Sequence, residues 1–148
     1  LGDTLTREEA VFNIGRVAFL INALASNNID NLRWGAEDKL HQPQRGAAVY
    51  PHMEPTINAT LEAGASAAYL SGAGPTIMAI TSGASGDIFT QRAKERVDKK
   101  VAEAMLAAAT ACGTKGEVFI SAPVENGAYV VSAEPTFTQG LVRYRGDT

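Results

Sequence analysis

The stretch "YLSGAGPTIMAI", Tyr69 to Ile80, constrains the fold more than any other part of the chain. Two strand-like apolar runs, Ala67 to Leu70 and Thr76 to Thr81, flank Ser71-Gly72-Ala73-Gly74-Pro75. Strand, short loop and strand predict an antiparallel hairpin. A minimal hairpin turn needs only two residues. This loop is longer, and its middle is nearly stripped of side chains. Either it is a tight turn and nothing more, or its backbone N–H groups must come close to a ligand.

The sequence on either side is mostly helical in period. Thr6-Arg7-Glu8-Glu9 reads as a capping box, and Val11, Ile14, Ala18, Ile21 and Ala25 follow at helical spacing. That helix fades at Ser26-Asn27-Asn28. Asp30 can cap a second helix through Leu32, Ala36 and Leu40, which Pro43 stops. Pro55 suits the first turn of a third helix ending at Gly64. A long helix is predicted from about Asp87, with Ala93, Val97, Val101, Ala104 and Ala108 on one face and Gly113 at its end. Val118-Phe119-Ile120 and Tyr129-Val130-Val131 read as a second hairpin around Asn126-Gly127.

Two hairpins flanking one long helix predict an α+β two-layer sandwich, an antiparallel sheet with helices on one face. Strand–helix alternation is too sparse for a doubly wound parallel sheet. Residues 1–133 form the expected domain, and 134–148 an arm or disordered tail.

Composition bounds the function. With 148 residues, 45% hydrophobic and 20% charged, the chain suits one globular domain. A net charge of −3 leaves no electrostatic footprint for nucleic acid. No apolar run reaches membrane-spanning length. A single cysteine, Cys112, fits a reducing, cytoplasmic setting. The first residue is Leu1, so an internal piece of something longer is expected.

Two stretches carry chemistry. In Ser71–Pro75, glycines around a small residue allow successive N–H groups to converge on an anion, and Pro75 stiffens the exit. "DKLHQPQR", Asp38 to Arg45, gathers His41, Gln42, Gln44 and Arg45 around Pro43. The Arg45 fork suits a carboxylate or phosphate. The bland alternatives are a tight turn and a solvated helix end.

Together these stretches resemble the GHMP small-molecule kinases. "LSGAGPT" resembles the family's third motif; "DKLHQPQR" and the opening "VFNIGRVAFLINAL" are similar to its homoserine kinase branch. The resemblance runs from Leu5 to Ala133 and matches only the C-terminal half of such a kinase. It implies a ferredoxin-like C-terminal domain. It also implies transfer of the γ-phosphoryl of ATP, with Mg, to the side-chain hydroxyl of L-homoserine in threonine biosynthesis. Arg45 would hold the amino-acid carboxylate, and Gly72, Ala73 and Gly74 would serve phosphoryl transfer through backbone. Asp38, His41, Ser71 and Pro75 would support them. The family often has Ser where this chain has Ala73.

Nothing in the chain matches the Gly-Leu-Gly-Ser-Ser-Ala phosphate loop, so ATP and Mg would be bound mainly by an N-terminal domain absent from it. That domain is the expected partner, with no nucleic acid and no membrane; a homodimer is left open. No residue here is assigned as catalytic or as a metal ligand. Another GHMP kinase or a related decarboxylase (mevalonate or phosphomevalonate type) is the first alternative, and a non-catalytic α+β ligand-binding module the second. Asp38 could hold Arg45 or His41. Asn13 and Arg16 are expected to anchor loops, His52 to be exposed, and Trp34 to be core or interface.

Overall fold

The computed structural model describes residues 2–82, 87–124 and 127. The chain divides into two units, Leu1–Val118 and Phe119–Thr148. All the regular elements described lie in the first.

Helix α1, Arg7–Ala25, opens on the predicted capping box: the Thr6 hydroxyl accepts from the Glu9 N–H, and the Glu9 carboxylate accepts from the Thr6 N–H. The apolar stripe that announces this helix faces outward. Val11, Ile14 and Ile21 are 62%, 70% and 59% exposed, whereas Ala23, on another side, is buried against Leu32 and Ala67. Helical period therefore identified the element without identifying its core side.

The second helix departs from expectation. A 3-10 turn, Ile29–Asn31, runs into the short α2, Leu32–Gly35, which ends well before Pro43. Gly35 sits where α2 meets α1: a Cβ there would lie 2.9 Å from the Cα and N of Leu20. The chain then turns, and Pro43 stands in the first turn of α3, Gln42–Ala48, instead of stopping a helix. Its missing N–H costs nothing at that position, where no intrahelical acceptor exists. Helix α4, Met53–Ala63, has Pro55 in its first turn and Gly64 as its left-handed end at φ +115°.

Strands β1, Ala67–Leu70, and β2, Ile77–Ile80, pair antiparallel, with Ala67 opposite Ile80 and Leu70 opposite Ile77. The α+β class and the antiparallel sheet packed on helices are as expected, but helices lie against both faces of the sheet and not one. The faces of that sheet divide the core. Ala67 and Ile80 pack with Ala23 and Leu32, while Ala79 packs with Ala63, Ala65 and Val101. Helix α5, Ile88–Ala111, is capped by Asp87, whose carboxylate accepts the N–H of Phe89 and Thr90. It lies along α4 through Val97, Val101 and Ala104, and Gly113 follows it at φ +73°.

Val118-Phe119-Ile120 is not a strand. A strand exists only through ladder partners, and no backbone pairing is present there among the described residues. Phe119 and Ile120 are 68% and 61% exposed. The turn at Asn126 and the returning strand Tyr129–Val131 lie outside the described residues, as does the 134–148 tail.

Candidate active site

A cavity of about 690 Å³ opens between the inner side of α1, the 36–41 turn, α3, β1 and the glycine loop. Asn13, Arg16, Asp38, Arg45, Gly72 and Ala73 contribute to its wall. The two sequence motifs therefore meet at one place.

Asp38 organises the turn. Its Oδ1 accepts from the Asn13 amide and the Leu40 N–H, both at 2.7 Å. Its Oδ2 accepts from the N–H of His41 at 2.8 Å and of Gln42 at 2.7 Å. Asn13 closes the knot by accepting the Lys39 N–H at 3.0 Å. The Asp38 side chain is only 16% exposed, and burial by itself raises the pKa of its carboxyl. The hydrogen bonds from Asn13 and from the N–H of Gln42, Leu40 and His41 outweigh that, so the pKa falls below its ordinary 3.8. Gln42 carries the order onward: its Oε1 accepts the Leu70 N–H at 3.0 Å and its Nε2 donates to the Ala36 carbonyl at 3.1 Å.

Arg45 is not held by Asp38. Its Nη1 donates to the Gly72 carbonyl at 2.8 Å, and it makes no ion pair among the described residues. His41 is half exposed, with Nδ1 3.8 Å from Asp38 Oδ2. Arg16 behaves as an anchor, its Nη2 2.6 Å from Glu37 Oε2 and its guanidinium 4.1 Å above the Phe12 ring. Trp34 is 46% exposed.

The glycine loop is shaped by its backbone. The Ser71 N–H donates to the Thr76 carbonyl at 2.8 Å, and the Gly74 N–H to the Ser71 carbonyl at 3.0 Å. Gly72 and Gly74 take φ of +58° and +85°, and the Gly74–Pro75 peptide is cis. The N–H groups of Gly72 and Ala73 have no partner among the described residues. Adjacent unpaired N–H groups beside a left-handed residue are the components of an anion nest, and Arg45 stands beside them.

Sequence reasoning missed one residue of this site and two that pack against its glycine loop. Gln42 was inside the quoted motif but had no pattern to mark its bridging role. Tyr50 packs its ring where a Gly74 Cβ would be. His52, expected to be exposed, is 7% exposed and its Nε2 lies 3.2 Å from the Pro75 carbonyl. Burial follows because the start of α4 lies against the glycine loop, a tertiary contact with no local signature.

The family description "GHMP kinases C terminal" matches residues 20–111. This chain belongs to the GHMP kinase C-terminal family. Curated relatives agree. The homoserine kinase of Desulfitobacterium hafniense is 34% identical over 128 residues, covering 86% of this chain and 39% of that protein. The homoserine kinase of Moorella thermoacetica is 40% identical over 124 residues, covering 84% and 37%. A crystal structure of homoserine kinase from Cytophaga hutchinsonii superposes with a TM-score of 0.59 at 25% identity, covering 76% of this chain and 32% of that one. The chain thus spans well under half the length of these relatives and matches their C-terminal portion. No helix among the described residues is long and apolar enough to cross a membrane.

Proposed function

We propose that this GHMP domain is the C-terminal part of an ATP-dependent homoserine kinase, transferring a phosphoryl group to the side-chain hydroxyl of L-homoserine for threonine biosynthesis in the cytoplasm. The observation that carries the reading is the Arg45–Gly72 hydrogen bond, which joins the carboxylate-binding candidate to the glycine loop in one cavity. Arg45 commits one guanidinium nitrogen to the loop and keeps others for a carboxylate, a planar fork that selects an amino acid over a plain alcohol. Gly72 and Ala73 offer N–H groups to a developing negative charge, and Ser71, Pro75, Asp38 and His41 fix the walls.

ATP would supply the phosphoryl group, with Mg. Among the described residues there is no cluster of three His, Cys, Asp or Glu side chains, and Mg and ATP would be held mainly by the rest of the longer protein. The rest of the longer protein is the natural partner. The outward stripe of α1 gives it an apolar surface to cover. Residues 1–133 would form the domain and 134–148 a tail.

The test is steady-state phosphorylation of L-homoserine and of mevalonate by the longer protein. We expect turnover of homoserine, and Arg45→Lys raising the homoserine KM about tenfold or more while that for ATP stays near wild type. A preference for mevalonate, or unchanged constants in Arg45→Lys, overturns the assignment. By itself this 148-residue domain should bind MgATP more weakly than about 1 mM in calorimetry.

A further inference from the structure

The segment from Arg45 to His52 touches the glycine loop at three successive points. Arg45 Nη1 donates to the Gly72 carbonyl at 2.8 Å. The Tyr50 ring lies against Gly74, with Cζ 2.8 Å from the position of a Cβ there. His52 Nε2 lies 3.2 Å from the Pro75 carbonyl. A carbonyl oxygen can only accept, so Nε2 carries the proton of this bond. Tyr50 and His52 also meet edge to face, with ring centroids 6.0 Å apart and planes at 63°. Their backbone is tied down as well: the N–H groups of Val49 and Tyr50 both donate to the Arg45 carbonyl, at 2.8 and 3.1 Å. Every contact that this segment makes with residues 72, 74 and 75 is therefore made from one short, internally bonded piece of chain.

We propose that Arg45, Tyr50 and His52 form a clamp that sets the glycine loop for phosphoryl transfer, with His52 as a positioning residue. His52 is 7% exposed, an unusual place for a histidine unless its ring is bonded. It grips the loop at the end opposite Arg45. An anion drawn to Arg45 meets a loop already held at Gly72, while the His52 bond keeps the Pro75 end from relaxing. The clamp accounts for a buried polar side chain that neither substrate binding nor helix capping uses, since His52 makes no side-chain cap bond to α4.

The test begins with the 148-residue chain and needs no activity. Residue-resolved amide exchange is measured in His52→Leu, which removes the donor, and in His52→Gln, which keeps a side-chain N–H. We expect the bonded amides of Ser71 and Gly74 to exchange about tenfold faster in His52→Leu, with those of β1 and α4 changed much less, and His52→Gln to restore most of the protection. Unchanged loop exchange, or an equal rise through β1 and α4, overturns the clamp. The kinetic arm rests on the kinase reading above. In the longer protein His52→Leu should lower kcat about tenfold with little change in homoserine KM, and His52→Gln should recover it. A loosened loop with normal kcat overturns the positioning role. A wild-type protein without homoserine turnover counts against the kinase reading alone, because the exchange experiment still decides the clamp.

Discussion

The two segments that contribute to the cavity wall from the sequence motifs keep their shapes by opposite means. The 38–42 turn is built by a side chain reaching into backbone: one carboxylate gathers four donors, three of them consecutive main-chain N–H groups. The 71–75 loop is built by backbone turning on itself, with glycines supplying positive φ and neighbouring side chains pressing from outside. The first therefore depends on a charge and the second on the absence of Cβ atoms. Each has its own way of failing, and each leaves a different group facing the cavity.

The largest effect should come from Asp38→Asn. Whichever way the amide is turned, its NH2 meets N–H donors that the carboxylate accepted. Leaving buried donors unsatisfied costs about 1–3 kcal/mol each, so a loss of about 3 kcal/mol is expected in chemical denaturation. A loss below about 1 kcal/mol would mean that water replaces the carboxylate readily and the turn does not depend on it.

The same variant gives a pH test. Because the folded state holds the Asp38 pKa below its ordinary 3.8, the carboxylate's stabilisation is full above that value. It is lost as pH falls through the lower, folded-state pKa. The stability gap between wild type and Asp38→Asn should thus stay constant from neutrality down to about pH 4 and close in more acid solution. Glu9 and Asp87, whose pKa values are also lowered by hydrogen bonds from backbone N–H groups, are present in both proteins and cancel. A gap that closes nearer neutrality would assign the effect to another group.

Gly74→Ala should come next. At φ +85° an added Cβ is strained in any surroundings, and here it would also meet the Tyr50 ring and, at 3.0 Å, Leu70 Cδ1. About 2 kcal/mol of destabilisation is expected from melting curves. A neutral result would show that Tyr50 gives way easily, and the loop would lose one of its three grips.

These contrasts also mark what could be read from residue order. The hairpin, the capping box of α1, the Gly64 end of α4 and the Asp87 start of α5 are local: spacing and caps specify them within a few residues. The α2 boundary was misread because Gly35 is required by a crossing with Leu20, far away in sequence, and because Asp38 withdraws three N–H groups from helical use. Motif alone singles out Arg45 and the glycine loop as candidates, and the structure brings them to one cavity; their direct bond has no local signal. Asp38 was expected to hold Arg45 or His41; it takes the His41 N–H and leaves Arg45 to Gly72. Tyr50 and His52 carried no signal, since an aromatic and an imidazole ahead of a helix look like surface until the loop they touch is known.

The smallest effect on the fold is expected at Gly72, and it divides the two glycines by purpose. Gly74 has a packing reason to lack a side chain. Gly72 has none: among the described residues, its own chain neighbours aside, no atom lies within 4 Å of where its Cβ would be, and only φ +58° disfavours alanine. A single alanine in the left-handed region costs on the order of 1 kcal/mol, so Gly72→Ala should melt close to wild type. Yet Gly72 lines the cavity, its carbonyl accepts from the Arg45 guanidinium, and the neighbouring Ala73 N–H has no partner among the described residues. If backbone must approach a reacting phosphoryl group there, the added methyl stands in the way. In the longer protein, kcat/KM for homoserine should then fall well beyond what the small stability loss explains. Melting temperature and single-turnover rate measured on the same two variants separate the roles. Gly74→Ala should lose stability first, and Gly72→Ala rate first. Equal stability losses with unchanged rates would mean that both glycines serve the turn alone, and that the loop is shaped only for itself.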